Sequence, residues 1–243
     1  MKDKRGIDYK MSSMLFWWVK RAIKNTMEKE RQKLKDVYAI WSACVKWSYL
    51  LMNEDTPSSY IALETQIDME ASTLLALSGF YRHANLILRG WLELSFLGLW
   101  FDDWPQLFQE WLKGGEGSPF KGRGWFKKRW LVQLLSEKPY REFEGKYQLS
   151  EEAWNLYGEL SKATHAKGEK FLETPDRDDS VTCYRSDSFQ RWFLNLKQVF
   201  ETTTTALALK YSSIFKQDRK ETRNIKNLLS NHRAEQLREI LND

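Results

Sequence analysis

An all-α fold, an antiparallel helical bundle with long N- and C-terminal helices, is predicted by three features of the sequence. The first is Phe80–Phe101, FYRHANLILRGWLELSFLGLWF. It is long enough for about six turns at roughly 3.6 residues each and apolar almost all round, as a helix buried on every side must be. The second is helical apolar spacing through most of the rest, punctuated by Pro and Gly. The third is the lack of strand signals: no alternating run and no Asn-Gly hairpin occurs. Twelve Trp among 243 residues predict aromatic packing between helices, because each ring buries a large area.

Taken in order, a first helix is expected from about Phe16 or Lys20 to Met52. Asn53-Glu54-Asp55-Thr56-Pro57 stops it and starts a second, with Thr56 as N-cap and Pro57 in the first helical position. That helix runs to about Ser78, and Gly79 separates it from the central one. Asp103-Trp104-Pro105 begins a short helix ending at Gly114-Gly115. Lys113 to Gly124, with glycines at 114, 115, 117, 122 and 124 and Pro119, reads as a loop. It has no Gly-Lys-Ser/Thr ending and no preceding strand, so it is no phosphate-cradling P-loop. Helical spacing resumes over Trp125–Ser136. Ser150, Glu151 and Glu152 are expected to cap a helix reaching His165. A polar loop follows over 167–187, then a long helix over 188–216 and an amphipathic one over 219–241. The expected organisation is a basic N-terminal helical region (1–55), a bundle (56–217) and a C-terminal amphipathic helix (218–243).

Composition narrows the function classes. A charged fraction of 29% and a mean hydropathy of −0.61 fit a soluble chain. The apolar part of the central helix is too short to span a bilayer and carries Arg89 and Glu93, so no integral membrane association is expected. Met14-Leu15-Phe16-Trp17-Trp18-Val19 lacks a small-residue cleavage site and runs into Lys20, Arg21 and Lys24, unlike a secretory signal. Phe16-Trp17-Trp18 reads as core anchors of the first helix, or as a membrane-surface contact flanked by bases. Cys44 and Cys183 show no ligand spacing, which points to a reduced, cytoplasmic setting. Three His and two Cys scattered along the chain make no zinc site, and no cofactor or metal is expected. The net charge of +5 is unevenly placed: Met1–Lys35 holds eleven Lys/Arg against four Asp/Glu.

Two polar stripes stand out. Asn85, Arg89 and Glu93 interrupt the central helix at four-residue spacing, which stacks them on one side. Tyr157, Ser161 and His165 repeat that spacing on a later helix. If the two helices pack, Arg89 can hold an anion, His165 can exchange protons near neutral pH and Glu93 can orient it. Arg89, Glu93, Ser161 and His165 are thus the candidate catalytic set, although Ser161 belongs to no recognised triad. The structural alternative is a self-satisfied Arg–Glu pair that fixes helix register. The run KGRGWFKKRW at 121–130 offers Lys121, Arg123, Trp125, Lys127, Lys128 and Arg129 for nucleic acid, bases stacking on aromatics and cations holding phosphates. An amphipathic helix with Trp130, Leu131 and Leu134 in the core accounts for the same run.

Ala84…Leu88-Arg89…Leu92-Glu93, followed by Tyr157-Gly158-Glu159-Leu160-Ser161-Lys162-Ala163-Thr164-His165, resembles uncharacterised bacterial families of the wider HEPN-like group over roughly residues 60–215. The resemblance implies an antiparallel, commonly dimeric bundle. It also implies association with phage defence, toxin–antitoxin pairs or RNA processing, the active members being metal-independent ribonucleases. Those nucleases place four to six residues between Arg and His. Here the corresponding positions hold Gly158, Glu159 and Leu160 before His165, and Ala76, Leu77 and Ser78 before His83; before His232 the nearest polar candidate is Asn227. Two functions are therefore expected. One is an RNA-binding protein of a defence or stress system, able to cleave RNA without metal if Arg89 and His165 meet. The other is a non-catalytic interaction module that forms a homo-oligomer or binds a protein partner.

Overall fold

In the computed structural model, which describes residues 5–114, 126–164 and 183–241, one helix is largely enclosed by the others. It is α4 (Tyr81–Asp103), the apolar stretch that dominates the sequence. Leu88, Leu92, Phe96, Leu99 and Phe101 on its several faces are fully buried. Around it lie α3 (Pro57–Leu77), α8 (Leu149–Thr164) and α9 (Ser186–Lys210). Completing the chain are α1 (Arg5–Lys29), α2 (Arg31–Leu51), α5 (Pro105–Leu112), α6 (Lys128–Leu135) and α7 (Arg141–Tyr147). After α9 come α10 (Ser212–Phe215), α11 (Lys220–Lys226) and α12 (Asn231–Leu241). No strand occurs among the described residues, so the fold is an all-α bundle.

Glycine sets the α3–α4 hairpin. Gly79 has φ +85° and Phe80 N–H reaches back to Leu75 O at 2.8 Å, while Gly79 N–H reaches Ala76 O at 3.1 Å. This is the Schellman pattern that ends helices on a left-handed residue. A Cβ at Gly79 would also lie 2.6 Å from Cys183 O, so the turn needs glycine twice over. Further along, Gly98 lets α4 approach Ser58 of α3; a Cβ there would sit 3.1 Å from its Oγ.

The expected first helix is two helices, broken at Glu30. Its carboxylate is buried and accepts hydrogen bonds from Tyr184 OH (2.7 Å) and Lys33 Nζ (2.6 Å), partners that draw this residue inward. α2 joins the main core through Val37, Ile40, Trp47 and Leu51, and α12 joins it through Leu237 and Leu241. The expected helix at 188–216 ends at Tyr211 (φ −106°, ψ 45°) before α10, and the one at 219–241 divides into α11 and α12. α7 was not foreseen. The aromatic cluster of α1 is not a core anchor: Phe16 is 71% exposed and Trp17 52%.

Asp68 on α3 lies beneath Gly90 of α4, its Oδ2 3.5 Å from where a Cβ would stand. Burial first, then the nearby charge of Glu64, pushes its carboxyl up to about 6. The folded state therefore holds the Asp68 proton more tightly than the unfolded chain does. Its favourable contribution is complete below the ordinary aspartate value of 3.8 and is lost as pH rises through about 6. Asp68→Asn should raise stability at pH 7 by on the order of 1 kcal/mol, discounted for partial solvent screening, and by much less at pH 4. Urea denaturation at the two pH values checks this; equal effects at both would contradict it.

Candidate functional site

The α4–α8 contact brings together part of the expected polar set. Arg89 Nε donates to Glu93 Oε1 at 2.7 Å, one helical turn along α4. Arg89 Nη2 donates to the Tyr157 hydroxyl of α8 at 2.6 Å, and the guanidinium carbon lies 4.6 Å from the Tyr157 ring centroid. Tyr157 is held in turn by Trp154, stacked at 5.4 Å, and by Phe126 at 4.7 Å. Side-chain exposures of 23% for Arg89 and 17% for Glu93 keep most water out.

Those surroundings set the chemistry. Burial raises the Glu93 carboxyl, and the Arg89 charge with hydrogen bonds from Arg89 and Tyr157 opposes the rise. The Tyr157 phenol is pushed up by burial and by the Glu93 charge, against the pull of Arg89. A guanidinium lying between a carboxylate and a phenol uses its fork on protein groups. The arrangement can hold a proton on or near Glu93 and lock α4 to α8.

The other expected members behave differently. Asn85 turns to α9, accepting from Asn195 Nδ2 at 2.7 Å and donating to Tyr81 O at 2.8 Å. Ser161 sits one turn beyond Tyr157 with its hydroxyl buried and without a hydrogen-bond partner of good geometry. His165 lies outside the described residues, as do Lys121, Arg123 and Trp125. Lys127, Lys128 and Arg129 are exposed at the start of α6, and Lys128 is ion-paired with Glu151. Phe126 is only 2% exposed, packed on Phe96 as well as Tyr157. Trp130 packs partly buried against the core. The described aromatics of the run thus face inward, as an amphipathic helix requires, and its cations face water.

A second buried polar cluster escaped the sequence reading. Asp102, near the end of α4, accepts the backbone N–H of Ser58 at 2.9 Å, the Ser58 hydroxyl at 2.7 Å and Tyr211 OH at 2.7 Å. Thr56 Oγ1 bonds Tyr211 OH at 2.9 Å. Thr56 is thus the N-cap of α3 by position, but it makes no side-chain cap, and the Asp102 carboxylate supplies the acceptor from another helix. Burial raises the Asp102 carboxyl despite these donors. The one available signal was a pair of acids, Asp102 and Asp103, closing the apolar second half of α4. A third cluster, Glu152 with Thr202, Arg233 and Gln236, ties α8 to α9 and α12.

No group of three His, Cys, Asp or Glu able to hold a metal occurs among the described residues. Burial pushes the Cys44 thiol up to about 12, which makes it inert as a nucleophile. No protein-family model, curated protein or solved structure matches this chain.

Breaking the Arg89–Glu93–Tyr157 set strands a mostly buried carboxylate. Arg89→Ala should cost roughly 3 kcal/mol, whereas the paired change Arg89→Met with Glu93→Gln should recover most of that loss. Chemical denaturation of the single and double variants checks this. Additive losses would show that the pair is not coupled.

Proposed function

We propose that this chain is a non-catalytic helical interaction module that docks a protein partner through the face formed by α1, α2 and α3. One observation carries this reading: an open apolar groove of about 380 Å³ between α2 and α3. Its walls include Leu34, Tyr38, Trp41, Met69, Leu74 and Leu77, with Tyr38 66% and Leu74 59% exposed. A contiguous apolar surface of this kind marks an interaction site on a soluble protein, and its form suits an amphipathic helix presented by a partner. The Arg89 cluster supports the reading from the other side, because its charges are answered within the fold. A photo-cross-linking residue at position 74 should give a discrete protein adduct. The captured protein, purified, should bind the wild-type chain at least tenfold more tightly than Leu74→Glu. No discrete adduct, or equal binding to both chains, overturns the reading.

A second reading has one observation in its favour. Phe126 seats the basic start of α6 directly on Tyr157, so Lys127, Lys128 and Arg129 lie beside the Arg89 cluster. We infer from this a HEPN-like surface for single-stranded RNA, bound through phosphates. Such binding falls steeply with salt. Fluorescence anisotropy with a short single-stranded RNA should show affinity that drops severalfold between 50 and 200 mM salt, about as phosphate contacts dictate, and that is lost in Lys127→Glu with Arg129→Glu. Absence of binding at the lower salt removes this reading.

A further inference from the structure

We propose that the cavity where α2, α3, α4 and α9 meet is an internal water-binding site, in which bound water accepts the Trp47 indole N–H and bridges it to Ser95 of α4 and Thr204 of α9.

An orphan donor marks the place. Trp47 is 3% exposed, and its Nε1 has no acceptor among the described residues. Its ring is stacked on Phe215, with centroids 6.0 Å apart and planes 8° apart, which holds the indole in place. A buried N–H without an acceptor is costly, and native proteins satisfy such groups with ordered water where no protein atom can reach. Trp47 also lines a cavity of about 30 Å³, to which Cys44 contributes from the same helix, Thr65 from α3, Ser95 from α4, and Thr203 and Thr204 from α9.

Chemistry and size select the occupant. Among the described residues no charged side chain lines the cavity, so an ion would find no countercharge there. Cys44 does not supply one: burial pushes its thiol up to about 12, which keeps it a neutral S–H. Oxygen acceptors are plentiful, because each hydroxyl carries two lone pairs. Thr65 and Thr203 spend their hydrogens on the carbonyls of Ala62 (3.0 Å) and Val199 (2.7 Å) in their own helices. Their oxygens can still accept from a guest. Cavities that stay dry are apolar ones, whereas this lining is polar. At roughly 10–15 Å³ per water, the space holds about two molecules.

The water completes a link that α2 makes in no other way. Hydrogen bonds of α2 go to α3, from Trp41 to Glu70 (2.7 Å) and from Ser48 to Ala62 O (3.2 Å). Toward α4 and α9 it presents Trp47 instead, across the cavity. A water bridge is enthalpically close to a direct hydrogen bond, so it fixes α2 on the central helix with direction as well as contact. The four successive threonines at 202–205, all buried, suit this seam: their methyls pack as valine would, and two of them line the water site.

High-resolution crystallography of the full chain, with and without xenon pressure, tests the proposal. Wild type should show water density within hydrogen-bond distance of Trp47 Nε1 and of Ser95 or Thr204, and should take up no xenon. Ser95→Ala with Thr204→Val makes the lining apolar, and should lose that density and admit xenon in its place. In solution, the Trp47 indole proton, identified by its loss in Trp47→Phe, should give a cross-peak to long-held water, weakened severalfold in Ser95→Ala alone. Xenon in the wild-type cavity, no density there, or density too large for water overturns the proposal, as does a Trp47 proton without a water cross-peak. Water density unchanged in the double variant overturns the bridge to α4 and α9.

Discussion

Enclosure of α4 is the constraint on which the rest of the bundle depends. A helix with neighbours on most sides leaves little solvent face for a polar group, and an unpaired buried donor or charge costs several kcal/mol. Three buried or half-buried polar side chains of α4 are therefore each tied to a particular neighbour: Asn85 to Asn195 on α9, Arg89 to Tyr157 on α8, and Asp102 to Ser58 on α3 and Tyr211 beyond α9. Apolar packing alone tolerates sliding and rotation of one helix on another. Three directional bonds to three neighbours do not, so the polar inset is what sets the register of α3, α8 and α9 around their common centre. This explains Arg89 and Glu93 in so apolar a helix without appeal to chemistry on a substrate.

Carboxylates from other helices recur at helix starts. Asp102 takes the Ser58 N–H at the head of α3, Glu144 takes the Ser150 N–H at the head of α8 (2.9 Å), and Glu201 takes the Ser230 N–H before α12 (2.8 Å). In each case a negative group meets the positive end of the helix dipole and satisfies an orphan donor. The contact orients a whole helix as well as closing its first turn. Ser150 was expected to cap α8 itself; its hydroxyl instead bonds the same Glu144 carboxylate as its N–H. Local sequence names the residue type that can cap, but an acid on a neighbouring helix can displace it when the fold delivers a stronger acceptor.

Much of the bundle was legible because punctuation and periodicity are local. Pro57, Gly79 and Pro105 fall where helices begin or end, and α3 to α6 lie close to their expected spans. The breaks at Glu30 and Tyr211 were not legible, because their cause is distant: Glu30 is drawn toward Tyr184, and the Tyr211 hydroxyl toward Asp102. The site divides in the same way. Spacing alone placed Arg89 beside Glu93, and it placed Tyr157 where α8 could reach them. It failed for Asn85 because four residues advance a helix by about 40° beyond a full turn at 3.6 residues per turn. Across two such steps the stripe rotates by about 80°, enough for Asn85 to face α9 while Glu93 faces α8. A four-residue stripe looks straight in the sequence and curves around the cylinder.

The two sides of α3 differ in what they meet. α3 is apolar on the side that meets α4, through Ile61, Met69 and Ala76, and again on the outer side, through Leu63, Ile67 and Leu74. A helix at the edge of a bundle ordinarily turns a polar face to water. Two apolar stripes separated by acids belong to a helix built for two neighbours, and α4 supplies the inner one. The outer stripe, continuous with that of α2 and unneeded for the core, is surface the fold leaves open. Among the described residues the inner polar groups hold helices together, and the α1–α3 face carries apolar surface that the core does not use.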